Sequence, residues 1–312
     1  MKAAVLNNLG TVPAYADFEE PIAADGQTVV AVTAAAVNHF TLLVCSGTFY
    51  STPPALPFVP GTDGVGRTQD GTRVFFDMTV APYGAWAQHT LVPTDALLSL
   101  DPNVTDAAAA AVGNSGLAAW TALTWRAQLE PGETVVVLGA TGALGYIATQ
   151  AARVLGAGRV VAVDLEGPRL QAMRREGKAD VVVPIEGDDL AGRLLAATCG
   201  GADITIDALW GAPGLAALNA ARQGCRHIQM GHMAGLDVAL PATVLRSRGI
   251  DLRGYALFQC PQPLRQAAYL DLTGRIARGD IHVAYETVPL RDVGEAWDRQ
   301  SHGANTKLVL VP

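Results

Sequence analysis

Val135-Val-Val-Leu-Gly-Ala-Thr-Gly-Ala-Leu-Gly145 decides the fold class of this chain. The unbroken apolar run 135–138 reads as a strand buried on both faces, because a strand with one face in water alternates apolar and polar residues. Small residues follow at 139, 140, 142 and 145. Then Leu144, Ile147, Ala148, Ala151 and Leu155 recur at helix spacing and stop before Gly156. A strand that turns tightly into a helix on small residues lets backbone N–H groups approach a phosphate, and the helix N-terminus adds partial positive charge. The pattern Ala140-x-Gly142-x-x-Gly145 in that setting predicts a dinucleotide pyrophosphate against Ala140, Thr141, Gly142, Ala143, Leu144 and Gly145.

Asp164 lies 19 positions after Gly145 (164 − 145), at the end of the next apolar run. A carboxylate there accepts hydrogen bonds from ribose hydroxyls and repels a 2′-phosphate, so NAD(H) is favoured over NADP(H). Its other reading is an N-cap for the following helix. Arg169, five residues on, is the residue that would hold the phosphate if NADP(H) binds instead.

Outward from this loop, strands and helices alternate. Strands are expected at 134–138, 159–163, 181–184, 204–207 and 227–230, with helices at 168–176, 188–198 and 213–222 between them. That alternation predicts a doubly wound parallel sheet, the Rossmann arrangement of the α/β class. Upstream, short β-like runs at 2–6, 28–36, 61–68, 73–76, 85–92 and 97–99 are separated by Gly and Pro, and point to a small β-barrel or sandwich. An Ala-rich helix is expected at 106–111. Helices near 263–278 and 290–300 and a strand at 307–311 close the chain.

The 312 residues exceed one ordinary core and imply two domains. Half the residues are hydrophobic and 16% are charged, which suits a packed globular protein. A net charge of −7, with no dense run of Lys and Arg, argues against nucleic acid. No apolar run reaches the roughly 18 residues of a membrane helix. The N-terminal residues read as a first strand rather than a signal peptide. Cys45, Cys199, Cys225 and Cys260 form no CxxC pair, so a disulfide framework is not expected and a reducing cytoplasm is the simplest location.

Several segments together resemble the medium-chain dehydrogenase/reductase superfamily, specifically its zinc-free quinone oxidoreductase branch. They are Val59-Pro-Gly-Thr-Asp-Gly-Val-Gly66, Gly71-Thr-Arg-Val, Tyr83-Gly-Ala-Trp-Ala-Gln88, Leu117-Ala-Ala-Trp-Thr-Ala-Leu123 and Thr306-Lys-Leu-Val-Leu. The resemblance implies a GroES-like β-barrel domain (1–115 and 257–312) with an inserted Rossmann domain (116–256), and an active cleft between them. It also implies a homodimer formed edge to edge through the Rossmann sheets, at 251–254 and 242–247.

Zinc-dependent members of that superfamily hold the metal with Cys or His at three positions. The matching positions here are Asn38, Thr62 and Asn114, which offer neither thiolate nor imidazole; Asp63 beside them is a single carboxylate. The six histidines show no HxH or HxxxH spacing. No zinc is expected.

The catalytic candidates are Asn38, Tyr50 and His39. The resemblance puts Asn38 at the pocket floor, where its amide would steady a developing oxyanion; its other reading is a cap on the turn at 40–44. His39 would approach the pyrophosphate or relay a proton, or else face solvent. Tyr50 would donate to substrate oxygen, or pack against its own loop. Cys45 reads as a buried, inert thiol. The resemblance runs the loop Gly231-His-Met-Ala-Gly235 beside the nicotinamide, which makes Gly231 and His232 cofactor contacts unless this is an ordinary turn. It likewise implies that Lys307 reaches the phosphates, where an exposed lysine on a terminal strand is the alternative.

Where the resembled branch carries Asp and Tyr after the Asn, this chain has Thr41 and Leu43, and Phe49 replaces another Tyr. A thinner polar pocket suits an apolar small molecule. The leading expectation is therefore hydride transfer from NAD(P)H to a quinone, enone or related conjugated carbonyl. The alternatives are a zinc-free alcohol, ketone or imine oxidoreductase, and a non-catalytic NAD(P)H-binding sensor.

Overall fold

The computed structural model describes residues 1–49, 52–303 and 306–312. Its contacts divide the chain into two compact units: residues 1–115, 262–279 and 283–312 in the first, 116–261 and 280–282 in the second. Two local contacts explain why these limits depart from a simple division at 256. After the last strand of the second unit, Tyr255 Oη stays 2.6 Å from Thr121 Oγ1. Further on, Gln150 bonds the backbone of His282 in both directions, at 3.0 and 2.9 Å.

The first unit begins with β1 (Lys2–Val5) paired antiparallel to β2 (Ala14–Asp17). Then follow β3 (Gln27–Ala36), α1 (His39–Ser46), β4 (Gly64–Thr68), β5 (Arg73–Phe76), β6 (His89–Pro93), β7 (Leu97–Leu98) and α2 (Asp106–Thr121). α2 carries the chain into the second unit. It contains β8 (Thr134–Leu138), α3 (Ala143–Val154), β9 (Arg159–Asp164), α4 (Pro168–Arg175), β10 (Val181–Pro184), α5 (Leu190–Ala197), β11 (Ala202–Asp207), α6 (Gly211–Asn219), β12 (Ala221–Gln229), α7 (Ala242–Arg248) and β13 (Asp251–Gly254). The first unit is completed by α8 (Gln262–Ala277), β14 (Tyr285–Pro289), α9 (Val293–Ser301) and β15 (Lys307–Val311).

The first unit is built on a seven-stranded mixed sheet in the order β14-β15-β3-β4-β5-β7, with β6 also paired to the first half of β3. Among the described residues of this sheet, only β14 and β15 run parallel. β3 is the hub, and its Ala and Val side chains leave room for close neighbours. A Cβ on Gly66 of β4 would sit 2.3 Å from Ala31 O, so the two strands meet at a distance only glycine permits. Trp86, Phe76, Val30 and Leu308 lie in the apolar core beneath.

Two strands of this unit escape a sequence pattern. β2 and β14 present mostly exposed residues, so neither shows apolar alternation. The strand expected at 85–92 begins only at His89. Before it, Ala85 and Trp86 donate instead to Gly61 O and Pro60 O in a turn. The helix expected to end at 111 runs on to Thr121 through a kink at Gly113. A Cβ there would lie 2.8 Å from both Asp63 Oδ2 and Phe75 Cε2, so glycine allows the helix to press against β4 and β5.

The second unit is a six-stranded sheet in the order β10-β9-β8-β11-β12-β13, every neighbouring pair parallel. In sequence terms that order is 3-2-1-4-5-6, the doubly wound arrangement whose ligands sit at the C-terminal ends of the strands. Every residue of β8 is buried, as its unbroken apolar run requires. The α/β class expected from the sequence is the class observed. Among the described residues, no helix is long and apolar enough to cross a membrane.

Candidate functional site

In the second unit, β8 ends and α3 begins within four residues. Gly139 adopts φ 77°, a left-handed conformation that opens the turn. The N–H groups of Gly139 and Ala140 donate to Val163 O at 2.9 and 3.1 Å, tying the turn to β9. Gly142 is the extended N-cap of α3, and the first helical bond runs from Tyr146 N to Gly142 O. A helix cannot satisfy the N–H groups of its own first turn. Those of Ala143, Leu144 and Gly145 are therefore the donors this turn offers to an anion. Gly145 makes the turn possible: a Cβ would lie 2.1 Å from Gly139 O and 2.7 Å from Ala140 Cα. The residues present fit a dinucleotide pyrophosphate.

Asp164 closes β9 and does not cap the next helix, which starts at Pro168 with Gly167 as its N-cap. Its Oδ2 accepts from Thr141 N and Thr141 Oγ1, both at 2.7 Å, and its Oδ1 from Leu165 N at 2.8 Å. These bonds fix the carboxylate at the rim of the turn and leave lone-pair capacity for one more donor. Arg169 reaches the same residue from the other side, donating from Nη2 to Thr141 O at 2.6 Å. A carboxylate and a guanidinium thus converge on Thr141.

Gly231 follows β12, and its N–H donates to Asp207 O at 3.3 Å. A Cβ there would lie 2.7 Å from Ala208 O, so the loops after β11 and β12 approach as closely as a glycine allows. His232 is exposed on the next position. Both stand at the C-terminal side of the sheet. The sequence reading missed the pair that shapes this end. Asp207 and His227 are fully buried, with His227 Nε2 and Asp207 Oδ2 at 2.8 Å. Asp207 Oδ1 also accepts from Leu209 N and Trp210 N at 2.9 and 2.7 Å. An Asp at the end of one strand and a His within the next carry no local sign of one another.

In the first unit, Asn38 precedes α1 but its side chain makes no capping bond. Instead Nδ2 donates to Asp63 Oδ1 at 2.6 Å, and Oδ1 accepts from Lys307 Nζ. Asn38, Asp63 and Lys307 are all withdrawn from water, at 3%, 0% and 8% exposure. Thr62 Oγ1 donates to Asp63 Oδ1 at 3.3 Å, and Asn114 N to Asp63 Oδ2 at 3.1 Å. Burial pushes the Asp63 carboxyl up to about 6, against the pull of the Lys307 ammonium and of these hydrogen bonds. Burial pushes Lys307 down to about 8, against the attraction of Asp63.

These contacts revise two expectations. The Asn38 side chain does not cap the turn, because its amide bonds Lys307 on one side and Asp63 on the other. Lys307 is not an exposed lysine: its ammonium is buried and donates to Asn38 Oδ1. The two stand 269 positions apart, a distance no local pattern bridges. His39 is exposed at the first position of α1. Tyr50 lies outside the described residues. Cys45 is buried, and burial alone raises its thiol to about 12. Among the described residues, no group of three or more His, Cys, Asp or Glu is placed to hold a metal ion.

Residues 143–272 match the family model described as zinc-binding dehydrogenase. That stretch does not include Asn38, Thr62 or Asn114. A quinone oxidoreductase of Pongo abelii is 33% identical over 150 residues, which cover 45% of this chain and 45% of that protein, so the match spans under half the relative's length. A quinone oxidoreductase of Lama guanicoe is 28% identical over 313 residues, covering 95% of this chain and 92% of that one. Among solved structures, the quinone oxidoreductase of Thermus thermophilus, described together with its complex with NADPH, is 29% identical with a TM-score of 0.84, each chain covered in full.

Proposed function

This chain belongs to the medium-chain dehydrogenase/reductase superfamily, in its quinone oxidoreductase-like branch, and on that basis we propose that it is an NAD(P)H-dependent oxidoreductase acting on a small conjugated carbonyl, a quinone or enone. The observation that carries the reading is the turn at Gly139–Gly145: a first-turn N–H cluster, a glycine packed on backbone, and Asp164 and Arg169 at its rim. Ala143, Leu144 and Gly145 would hold the pyrophosphate, with Gly231 and His232 as further contacts at the strand ends. When bound, the cofactor supplies the hydride.

The chain's own residues have to orient the acceptor and steady the charge that develops on its oxygen. Asn38 is assigned that donor role. Nδ2 carries two hydrogens and gives one to Asp63, and the second is the one assigned to substrate oxygen. A conjugated acceptor spreads the developing charge, so a neutral amide suffices where an isolated ketone needs a Lewis acid. The test is NADPH and NADH oxidation by a panel of quinones and enones in strong chelator. Turnover that survives the chelator supports the reading. Activity confined to simple secondary alcohols overturns the substrate class, and an elemental analysis finding one tightly held zinc per chain overturns the zinc-free chemistry.

The cofactor choice rests on two neighbours of Thr141. Asp164 supports NADH, since a 2′-phosphate beside it meets like charge. Arg169 supports a second reading in which NADPH is accepted, and the relative from Thermus thermophilus is described in complex with NADPH. Removing a like-charge contact contributes about 1–3 kcal/mol, so Asp164→Ser is expected to shift the NADPH/NADH affinity ratio toward NADPH by about fivefold to a hundredfold. Titration of both cofactors by fluorescence reads the ratio. A wild type that already binds NADPH more tightly transfers the selecting role to Arg169.

β13 is the last strand of its sheet, and α7 beside it in sequence has no buried residue. Both support a homodimer in which these edges pair about a two-fold axis. The four cysteines are free, which supports a reducing, cytoplasmic setting.

A further inference from the structure

We propose that Lys307 and Asp63 are positioning residues that lock the Asn38 amide in one orientation and polarise it, so that its remaining Nδ2 hydrogen becomes the stronger donor. The inference rests on the role assigned to Asn38 above. An ammonium can only donate and an ionised carboxylate can only accept. Lys307 therefore has to meet Oδ1 and Asp63 has to meet Nδ2, the arrangement observed. The flipped amide would set N–H against ammonium and carbonyl against carboxylate, both buried, and neither contact survives in a site closed to water. Hydrogen bonds in series also strengthen one another. The Lys307 ammonium on Oδ1 draws density away from Nδ2 and sharpens the hydrogen left for substrate.

Charge balance points the same way. Asp63 alone would place a full negative charge beside an oxygen that is gaining one. With Lys307 protonated the trio is neutral, and the surrounding charges do not disturb that balance. Asp77 is the other carboxylate near Asp63, and it faces Arg265 at 2.9 Å. Tyr269, whose hydroxyl donates to Ala109 O at 2.9 Å, is held neutral by burial. The Lys307 ammonium loses its proton as pH rises through about 8, and the trio then becomes anionic. Turnover is therefore expected to fall on that alkaline side.

The experiment measures kcat and KM of the full-length protein for NADPH and a quinone or enone acceptor from pH 6 to 10. The proteins compared are wild type, Lys307→Met, Lys307→Gln, Asn38→Ala and the Asn38→Ala/Lys307→Met double variant. If Lys307 acts through Asn38, Lys307→Met lowers kcat about tenfold with little change in KM, and the double variant is no slower than Asn38→Ala alone. Lys307→Gln keeps a donor on Oδ1 without a charge, so it retains part of the activity and loses the alkaline fall near pH 8. Because Gln leaves the hydrogen bond in place, it carries the test if Met does not fold. Losses that multiply in the double variant, an alkaline fall that persists in Lys307→Gln, or a Lys307→Met enzyme with wild-type kcat would each overturn the inference. A fully active Asn38→Ala overturns the reading of Asn38 itself, and this inference with it.

Discussion

Gly145→Ala is expected to raise the Kd for NADPH and NADH by at least about a hundredfold, close to 3 kcal/mol of binding free energy, and to lower the thermal midpoint. The added methyl would lie 2.1 Å from Gly139 O and 2.7 Å from Ala140 Cα. Both are backbone atoms, so no side chain can rotate aside. α3 has to withdraw from the end of β8 by the order of an ångström. Overpacking of this kind costs about 1–3 kcal/mol of stability. The same displacement carries the N–H groups of Ala143 and Leu144 off the phosphate they are proposed to bind, and hydrogen bonds weaken steeply with such misplacement. Gly142→Ala is the control within the same turn. Its methyl would meet nothing nearer than Gly139 O at 3.4 Å, an ordinary contact, and its φ of −73° suits any residue. Calorimetric titration of both variants separates the effects. A Gly145→Ala protein that binds cofactor like wild type removes this turn from the phosphate site.

That contrast between two glycines also marks where sequence reading succeeds and stops. The unbroken apolar run before Gly139 could belong only to a strand covered on both sides, and β8 occupies the expected residues 134–138. β5, β10 and β15 also coincide with expectation, each an apolar run with sharp polar or turn residues at its ends. The misses share a cause. β2 and β14 are held by backbone pairing at exposed edges, where side chains are free to be polar. α2 outruns its expected end, continuing past the Ala-rich run through a kink at Gly113, where a Cβ would crowd Asp63 and Phe75. The contact between Asn38 and Lys307 was not legible in the sequence for a related reason. Their partners come from opposite ends of the chain, brought together only when β15 pairs with β3. Local patterning reports burial and turns, whereas a buried charge reports itself only through the partner that neutralises it.

Asn38→Ala is expected to lower kcat and kcat/KM together by about tenfold to a thousandfold, leaving the KM for cofactor close to wild type. The amide is assigned a bond that strengthens as charge reaches the substrate oxygen, so its loss falls on the transition state rather than on substrate binding. A rise in KM alone would mean that Asn38 only helps to hold the ground state. The substitution carries a second cost that the same protein preparation reports. It leaves Asp63 without its 2.6 Å donor and Lys307 without its acceptor, both in a buried setting. An unpaired buried polar group costs about 1–3 kcal/mol, so the thermal midpoint should fall as well. Asn38→Asp separates the two effects. It still accepts from Lys307, but sets a second carboxyl within hydrogen-bond distance of Asp63, where the two cannot both be ionised. One of them must then hold a proton at neutral pH, bridging the pair in place of the amide hydrogen. Stability should return toward wild type while turnover stays low, because the only hydrogen is spent on Asp63 and none is left for the substrate. Full activity in Asn38→Asp would show that the substrate oxygen never used that second hydrogen.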